Sequence, residues 1–176
     1  DGAVEPDSSG GCAPAGFSVV VNFFTSFGYF ASDEENSRTL GEVARVLRPG
    51  GRFAVDLLNL ETTVRTLERR SERFAGPFRV VEERRWDPPR RRLEKTIEIG
   101  PRGPGGAAPD EGRRYVESVR LYAEEEIADL LRRAGLSVDR MLGDFSGRPF
   151  GPGTPRMIVL GSKARRGPWT DRRDGT

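Results

Sequence analysis

Histidine is absent from the 176-residue sequence, which removes the commonest general base and the usual transition-metal ligand together. Proton transfer would fall to Asp, Glu, Tyr or water. The single cysteine, Cys12, excludes an internal disulfide framework and any multi-cysteine metal site. One segment concentrates groups able to meet a ligand: Asn22-Phe23-Phe24-Thr25-Ser26-Phe27-Gly28-Tyr29-Phe30 combines amide, hydroxyl and aromatic side chains, and aromatic faces attract cations. Asp144, in the run GDFSG, could orient a nucleophile, although an Asp among glycines also makes turns. Arginines at 84, 85 and 90–92 suggest phosphate contact, but Glu82, Glu83 and Glu94 interleave with them, the pattern of a solvated hairpin.

The elements that must position these groups follow from hydrophobic period. Residues 1–16 are Gly/Pro/Ser/Ala-rich and aperiodic, hence a loop. The run FSVVVNFF at 17–24 is continuously apolar and β-branched, the pattern of a central strand covered on both faces of a parallel sheet. Leu40, Val43, Ala44 and Leu47 predict a helix over about 33–48, opened by a Ser32/Glu35 capping box and stopped by Pro49. RFAVDLLN at 52–59 reads as a second buried strand, completing a βαβ unit.

Beyond it, Leu57, Leu60, Val64 and Leu67 predict a helix over roughly 60–72. The period then changes to two in 78–86, 93–99 and 115–121, which predicts a three-stranded antiparallel meander. The meander makes residues 73–122 an insertion, with a mobile low-complexity loop at 101–112. A helix is predicted over 123–135, with strands at 136–142 and 156–163. Residues 164–176 read as a disordered basic tail, leaving one domain over 1–163.

Of the 29 basic residues only Lys95 and Lys163 are lysine, and 27 acids nearly balance them. That balance argues against a dedicated nucleic-acid binder. The longest apolar stretch, Phe17–Phe24, is far short of the ~20 residues that span a bilayer, so no membrane partner is expected. Low cysteine usage suggests a cytoplasmic setting. With no Met at Asp1 and no secretory pattern, the chain is expected to be processed or to begin inside a longer protein.

Three segments in this order resemble the C-terminal part of class I S-adenosylmethionine-dependent methyltransferases of the small bacterial type. VVVNFFTSFGYF at 19–30 looks like that family's fourth strand and following loop. LGEVARVLRPGGRFAVD at 40–56 looks like the helix, L-x-P-G-G turn and fifth strand. SVRLYAEEEIADLLRRAGLSV at 118–138, with PRMIVLGSK at 155–163, is similar to the last helix and closing strand pair. The implied fold is α/β: a partial Rossmann-like methyltransferase sheet, with strands equivalent to the fourth to seventh and an inserted antiparallel meander. The family's glycine-rich cofactor loop and acidic ribose ligand have no counterpart. Gly103–Gly106 lie in the low-complexity loop, and Gly50-Gly51 precede a strand instead of opening a helix.

The resemblance implies S-adenosylmethionine as cofactor and a small-molecule methyl acceptor. Asn22, Phe23, Thr25 and Ser26 would face the cofactor, since ligands sit beyond the C-terminal ends of parallel strands. Phe27, Tyr29 and Phe30 would wall the acceptor pocket, with Arg120 and Tyr122 as its roof and Arg156 pairing with an anionic acceptor. Tyr29, Tyr122 and Asp144 are the acid–base candidates. In-line displacement from an activated sulfonium gains chiefly from positioning, so the lack of histidine is tolerable. Without its cofactor-holding half the stretch is expected to be inactive alone, with that half upstream or on another chain, or with a dimer supplying the missing contacts. The competing expectation is a non-catalytic fragment that completes or regulates another methyltransferase chain. A nicotinamide-dependent oxidoreductase is disfavoured by its missing fingerprint.

Overall fold

The computed structural model describes residues 16–101 and 112–165. The expected loop at 1–15, most of the low-complexity loop and the tail from 166 lie outside the described residues. The elements run β1 (Phe17–Asn22), α1 (Asp33–Val46), β2 (Leu47–Leu58), α2 (Leu60–Arg65), β3 (Arg70–Ala75), β4 (Phe78–Asp87), β5 (Arg92–Pro101), β6 (Arg113–Arg120), α3 (Glu124–Arg133), β7 (Leu136–Leu142) and β8 (Arg156–Lys163). They form two four-stranded sheets, ordered β1-β2-β8-β7 and β3-β4-β5-β6.

The first sheet is mixed. β1 and β2 run parallel, joined by α1, while β8 lies antiparallel to both β2 and β7. α1 begins as its sequence requires: the Ser32 Oγ accepts the Glu35 N–H at 3.2 Å, and Glu35 accepts the Ser32 N–H at 3.1 Å. The helix ends at Val46, and the β1–β2 register jumps from Phe17–Leu47 to Val19–Arg52. Arg48–Gly51, which contains the Pro-Gly-Gly run, is the irregular stretch this jump leaves over. α3 ends where Gly135 takes φ +78°, a conformation that favours glycine.

One face of this sheet makes the core. Leu40 and Ala44 of α1 and Ile127 and Leu131 of α3 pack with Phe53, Val55, Leu57, Met157 and Val159. Each fully buried aliphatic side chain contributes about 1.5–3 kcal/mol relative to exposure.

Three expectations are corrected. The strand at 17–24 ends at Asn22, because Phe24 and Thr25 adopt φ of 58° and 56° and leave the extended region. Its expected cover on both faces is missing from one of them among the described residues, where Phe17, Val19 and Val21 are exposed. The helix over 60–72 stops at Arg65, and none of its residues is buried. Leu67 therefore has no apolar face to extend, and the chain forms β3 from Arg70, so the antiparallel sheet has four strands and starts earlier than residue 73. β3 escapes hydrophobic periodicity because ions pair it instead: Glu72 accepts Arg79 Nε and Nη2, each at 2.8 Å across to β4.

Candidate functional site

The C-terminal ends of β1 and β2 meet at one carboxylate. Asp56 lies within β2 and is 0% exposed. Its Oδ2 accepts the Phe24 N–H at 2.8 Å and its carbonyl accepts the Thr25 N–H at 3.2 Å. Arg156, the first residue of β8, donates Nε to Asp56 Oδ1 at 2.7 Å and Nη2 to Oδ2 at 2.6 Å, and Nη2 also reaches Thr25 Oγ1 at 3.0 Å. Left-handed geometry at two successive non-glycine residues costs about 1–3 kcal/mol each and persists only where surroundings enforce it. This buried ion pair is the enforcing element. It leaves Phe24 84% exposed at the mouth of the parallel pair, with Phe23 in edge contact with Phe24 and with Phe145 of the β7–β8 loop at 6.3 and 6.2 Å.

Asp56 was not singled out in the sequence. The available signal was a lone carboxylate inside an apolar strand, with a lone arginine opening the last strand. The Arg156 cation expected to meet an anionic acceptor is neutralised by Asp56. Asn22, the last residue of β1, has a buried Oδ1 with no hydrogen-bond partner among the described residues. The Ser26 Oγ donates to the Phe23 carbonyl at 2.6 Å and so braces the turn.

The next stretch, Gly28–Phe30, is held from the antiparallel sheet. Arg92 of β5 is 5% exposed and has no carboxylate partner among the described residues. Its Nη1 donates to the Phe30 carbonyl at 3.0 Å, its Nη2 to the carbonyls of Gly28, Tyr29 and Ser118 at 3.3, 3.4 and 2.7 Å, and its Nε to Ser118 Oγ at 2.8 Å. Arg92 therefore departs from the solvated-hairpin reading of its arginine run. The Arg120 N–H donates to the Gly28 carbonyl at 2.8 Å. A side chain at Gly28, where φ is +100°, would place Cβ 2.6 Å from the Arg120 carbonyl oxygen. Asn36, fully buried, accepts the Phe30 N–H and donates to the Ser32 carbonyl. Tyr29 and Phe30 project outward, and Phe30 lines a hollow of about 350 Å³ with Glu35, Arg38, Thr39 and Glu42. Phe27, expected on the acceptor wall, turns instead into the core against Tyr122, with ring centres 5.4 Å apart.

Tyr122 and Arg120 form a polar joint between the two sheets. The Tyr122 hydroxyl donates to Asp33 Oδ1 at 2.8 Å, and the ring lies under the Arg120 guanidinium at 4.6 Å. Arg120 pairs with Asp33 at 3.3 Å and Glu126 at 2.9 Å. Burial first, and the hydrogen bond to Asp33 second, push the Tyr122 phenol well above its ordinary range. At 2% exposure it is a neutral donor, not an accessible base. Burial opposes ionisation of Glu126, but the Arg120 hydrogen bond and the Ala123 N–H outweigh it and hold the carboxyl below its usual range. One oxygen of Asp144 is taken up by turn geometry: its Oδ1 accepts Ser146 Oγ at 2.6 Å and the N–H groups of Ser146 and Arg148 at 2.9 and 3.2 Å. The Ser146 hydrogen bond above all keeps its pKa low.

A larger hollow of about 620 Å³ lies beyond the end of β2, lined by Asn59, Glu61, Glu124, Met141 and Phe150 among others. Among the described residues no group of three or more His, Cys, Asp or Glu could hold a metal ion, and no helix is long and apolar enough to cross a membrane.

No protein-family model matches the sequence, and no curated protein does. Solved structures match in fold. The chain aligns over 85% of its length with 61% of the CcbJ methyltransferase from Streptomyces caelestis, at TM-score 0.69 and 20% identity. It aligns over 86% of its length with 60% of an S-adenosylmethionine-dependent methyltransferase from Clostridium acetobutylicum ATCC 824, at TM-score 0.71 and 16% identity. A third similar structure is the sugar N-methyltransferase KedS8 from Streptoalloteichus sp ATCC 53650, at TM-score 0.58 and 19% identity, with 86% of this chain covering 58% of that one. The chain thus has the α/β fold of S-adenosylmethionine-dependent methyltransferases and spans about 60% of the length of the first two structures.

Proposed function

We propose that this chain carries the acceptor-facing part of an S-adenosylmethionine-dependent methyltransferase that acts on an O, N or C nucleophile of a small molecule. The observation that carries the reading is the strained Phe24–Thr25 turn at the open end of two parallel strands, locked by the buried Asp56–Arg156 pair. Ligands of such sheets sit beyond the C-terminal strand ends, and backbone strain persists where function needs a fixed geometry.

The residues present suit the cofactor. Asn22 Oδ1 is a buried acceptor without a donor, which an amino group of S-adenosylmethionine would satisfy. The partly exposed Phe23 ring offers a face to a cation, and Thr25 and Ser26 continue the same wall. The cofactor, when bound, supplies the activated methyl group. This chain's own part is to orient the acceptor and exclude water. Tyr29 is half exposed on the loop, and its hydroxyl is the group assigned to accept or relay an acceptor proton. The KedS8 comparison favours an amine among the possible nucleophiles.

Turnover by this stretch alone is not expected. Among the described residues the outer edge of β1 is unpaired and its apolar side chains Val19 and Val21 are exposed, an arrangement that invites a further strand. The same open edge supports a second reading, in which the stretch completes or regulates another methyltransferase chain without catalysing transfer. Calorimetric titration with S-adenosylmethionine tests both. Heat from a longer form of the chain but not from residues 1–176 supports the enzyme reading with a completing segment. Heat from neither contradicts cofactor use.

A further inference from the structure

We propose that Arg92 is a positioning residue for the acceptor loop, and that through it the antiparallel sheet is a working part of the site. The inference rests on the methyl-transfer reading for what the loop does, but not for what Arg92 does to the loop. An arginine that is almost wholly buried ordinarily has a carboxylate partner. Among the described residues Arg92 has none, and it instead gathers the consecutive carbonyls of Gly28, Tyr29 and Phe30 on one planar guanidinium. The Ser118 carbonyl and hydroxyl fix the guanidinium from β6.

Three successive carbonyls drawn to one point leave the Tyr29 and Phe30 side chains to project the other way, and both rings are exposed. Asn36 fixes the same loop from α1 through the Phe30 N–H at 3.3 Å. The loop is therefore clamped between the parallel-sheet layer and the antiparallel sheet, and only the second clamp reads the position of β5. Lysine cannot replace the fork, because an ammonium offers a single point of donation instead of a planar array.

The test is amide hydrogen exchange by mass spectrometry on the full-length protein, comparing Arg92→Ala, Arg92→Lys and the milder Ser118→Ala with the parent. Local opening raises exchange only where contacts are lost. The expected result is a rise of about tenfold or more in the peptide spanning 28–31 for both Arg92 variants. Ser118→Ala should show a smaller rise, and millimolar guanidinium, but not ammonium, should restore Arg92→Ala. Peptides from β2 and β8 should be unchanged. Where Arg92→Ala does not fold, Ser118→Ala and Arg92→Lys carry the test. Exchange unchanged at 28–31, or raised equally across β2 and β8, overturns the proposal.

Methyl transfer from radiolabelled S-adenosylmethionine to a panel of amino sugars gives the functional arm. The acceptor KM should rise about fivefold or more in Arg92→Lys, with the KM for S-adenosylmethionine within about twofold of the parent. Equal changes in both constants overturn the positioning role. A full-length parent that transfers no methyl group to any panel member counts against an amino-sugar acceptor, while the exchange result still decides the clamp.

Discussion

Asp56 and Arg156 stand a hundred residues apart and face each other through two hydrogen bonds of 2.7 and 2.6 Å, with the carboxylate wholly buried. The same carboxylate caps the Phe24 N–H, so the ion pair and the strained turn form one unit. Removing either partner leaves an uncompensated charge inside the protein.

Arg156→Met should therefore cost about 3–5 kcal/mol, the range for breaking a buried pair from one side. Urea unfolding followed by circular dichroism measures it. A cost below about 1 kcal/mol would show that the pair is solvated and does not hold the turn.

Tyr122→Phe removes the hydroxyl that Asp33 accepts and should destabilise by about 1 kcal/mol. The folded phenol titrates above its unfolded value of 10.0. The extra stability is thus complete below pH 10 and is lost as the pH rises above it. The parent-minus-variant ultraviolet spectrum should show Tyr122 phenolate only beyond the ordinary phenol range. Ionisation near pH 10 would contradict a phenol that is buried and hydrogen-bonded to Asp33.

Glu126 gives the opposite limb. Its folded pKa lies below its unfolded value of 4.5, so its contribution is present above that value and disappears as the pH falls through the depressed folded pKa. Glu126→Gln should lose about 1–2 kcal/mol at pH 7 through the weakened Arg120 contact and helix cap. Melting curves of parent and variant should converge towards pH 3. A constant gap across that range would locate the effect elsewhere.

Much of the first sheet was legible from the sequence because its elements obey simple periods. β7 and β8 appear with their expected bounds, and the Ser32/Glu35 box opens α1 where expected. The antiparallel sheet was legible only where apolar residues alternate. β3 is held by Arg79–Glu72 and related ion pairs, and these leave no hydrophobic period. The site was less legible still. Asn22 and the aromatic loop stand out as candidates by their place at and after the end of an apolar strand. Asp56 and Arg92 meet the Phe24–Phe30 loop across 32 and 62 or more residues, pairings that only the folded topology creates, while Asn36 meets Phe30 locally, six residues away. Phe27 and Phe30 are alike by composition, yet one faces the core and the other solvent, because the turn at Gly28 separates them.

The exposed Val19 and Val21 on an unpaired edge make the isolated stretch prone to self-association. Val19→Lys with Val21→Lys should leave stability within about 0.5 kcal/mol, as for other surface positions, while shifting sedimentation towards a monomer. Loss of folding in that variant would mean the face is already covered.

A crystal structure of the full-length protein with S-adenosylhomocysteine bears on everything above. The ligand should lie against Asn22–Ser26, with a donor on Asn22 Oδ1 and the Phe24–Thr25 turn unchanged. A ligand seated away from this loop, or no binding at millimolar concentration, would contradict methyl transfer at this site.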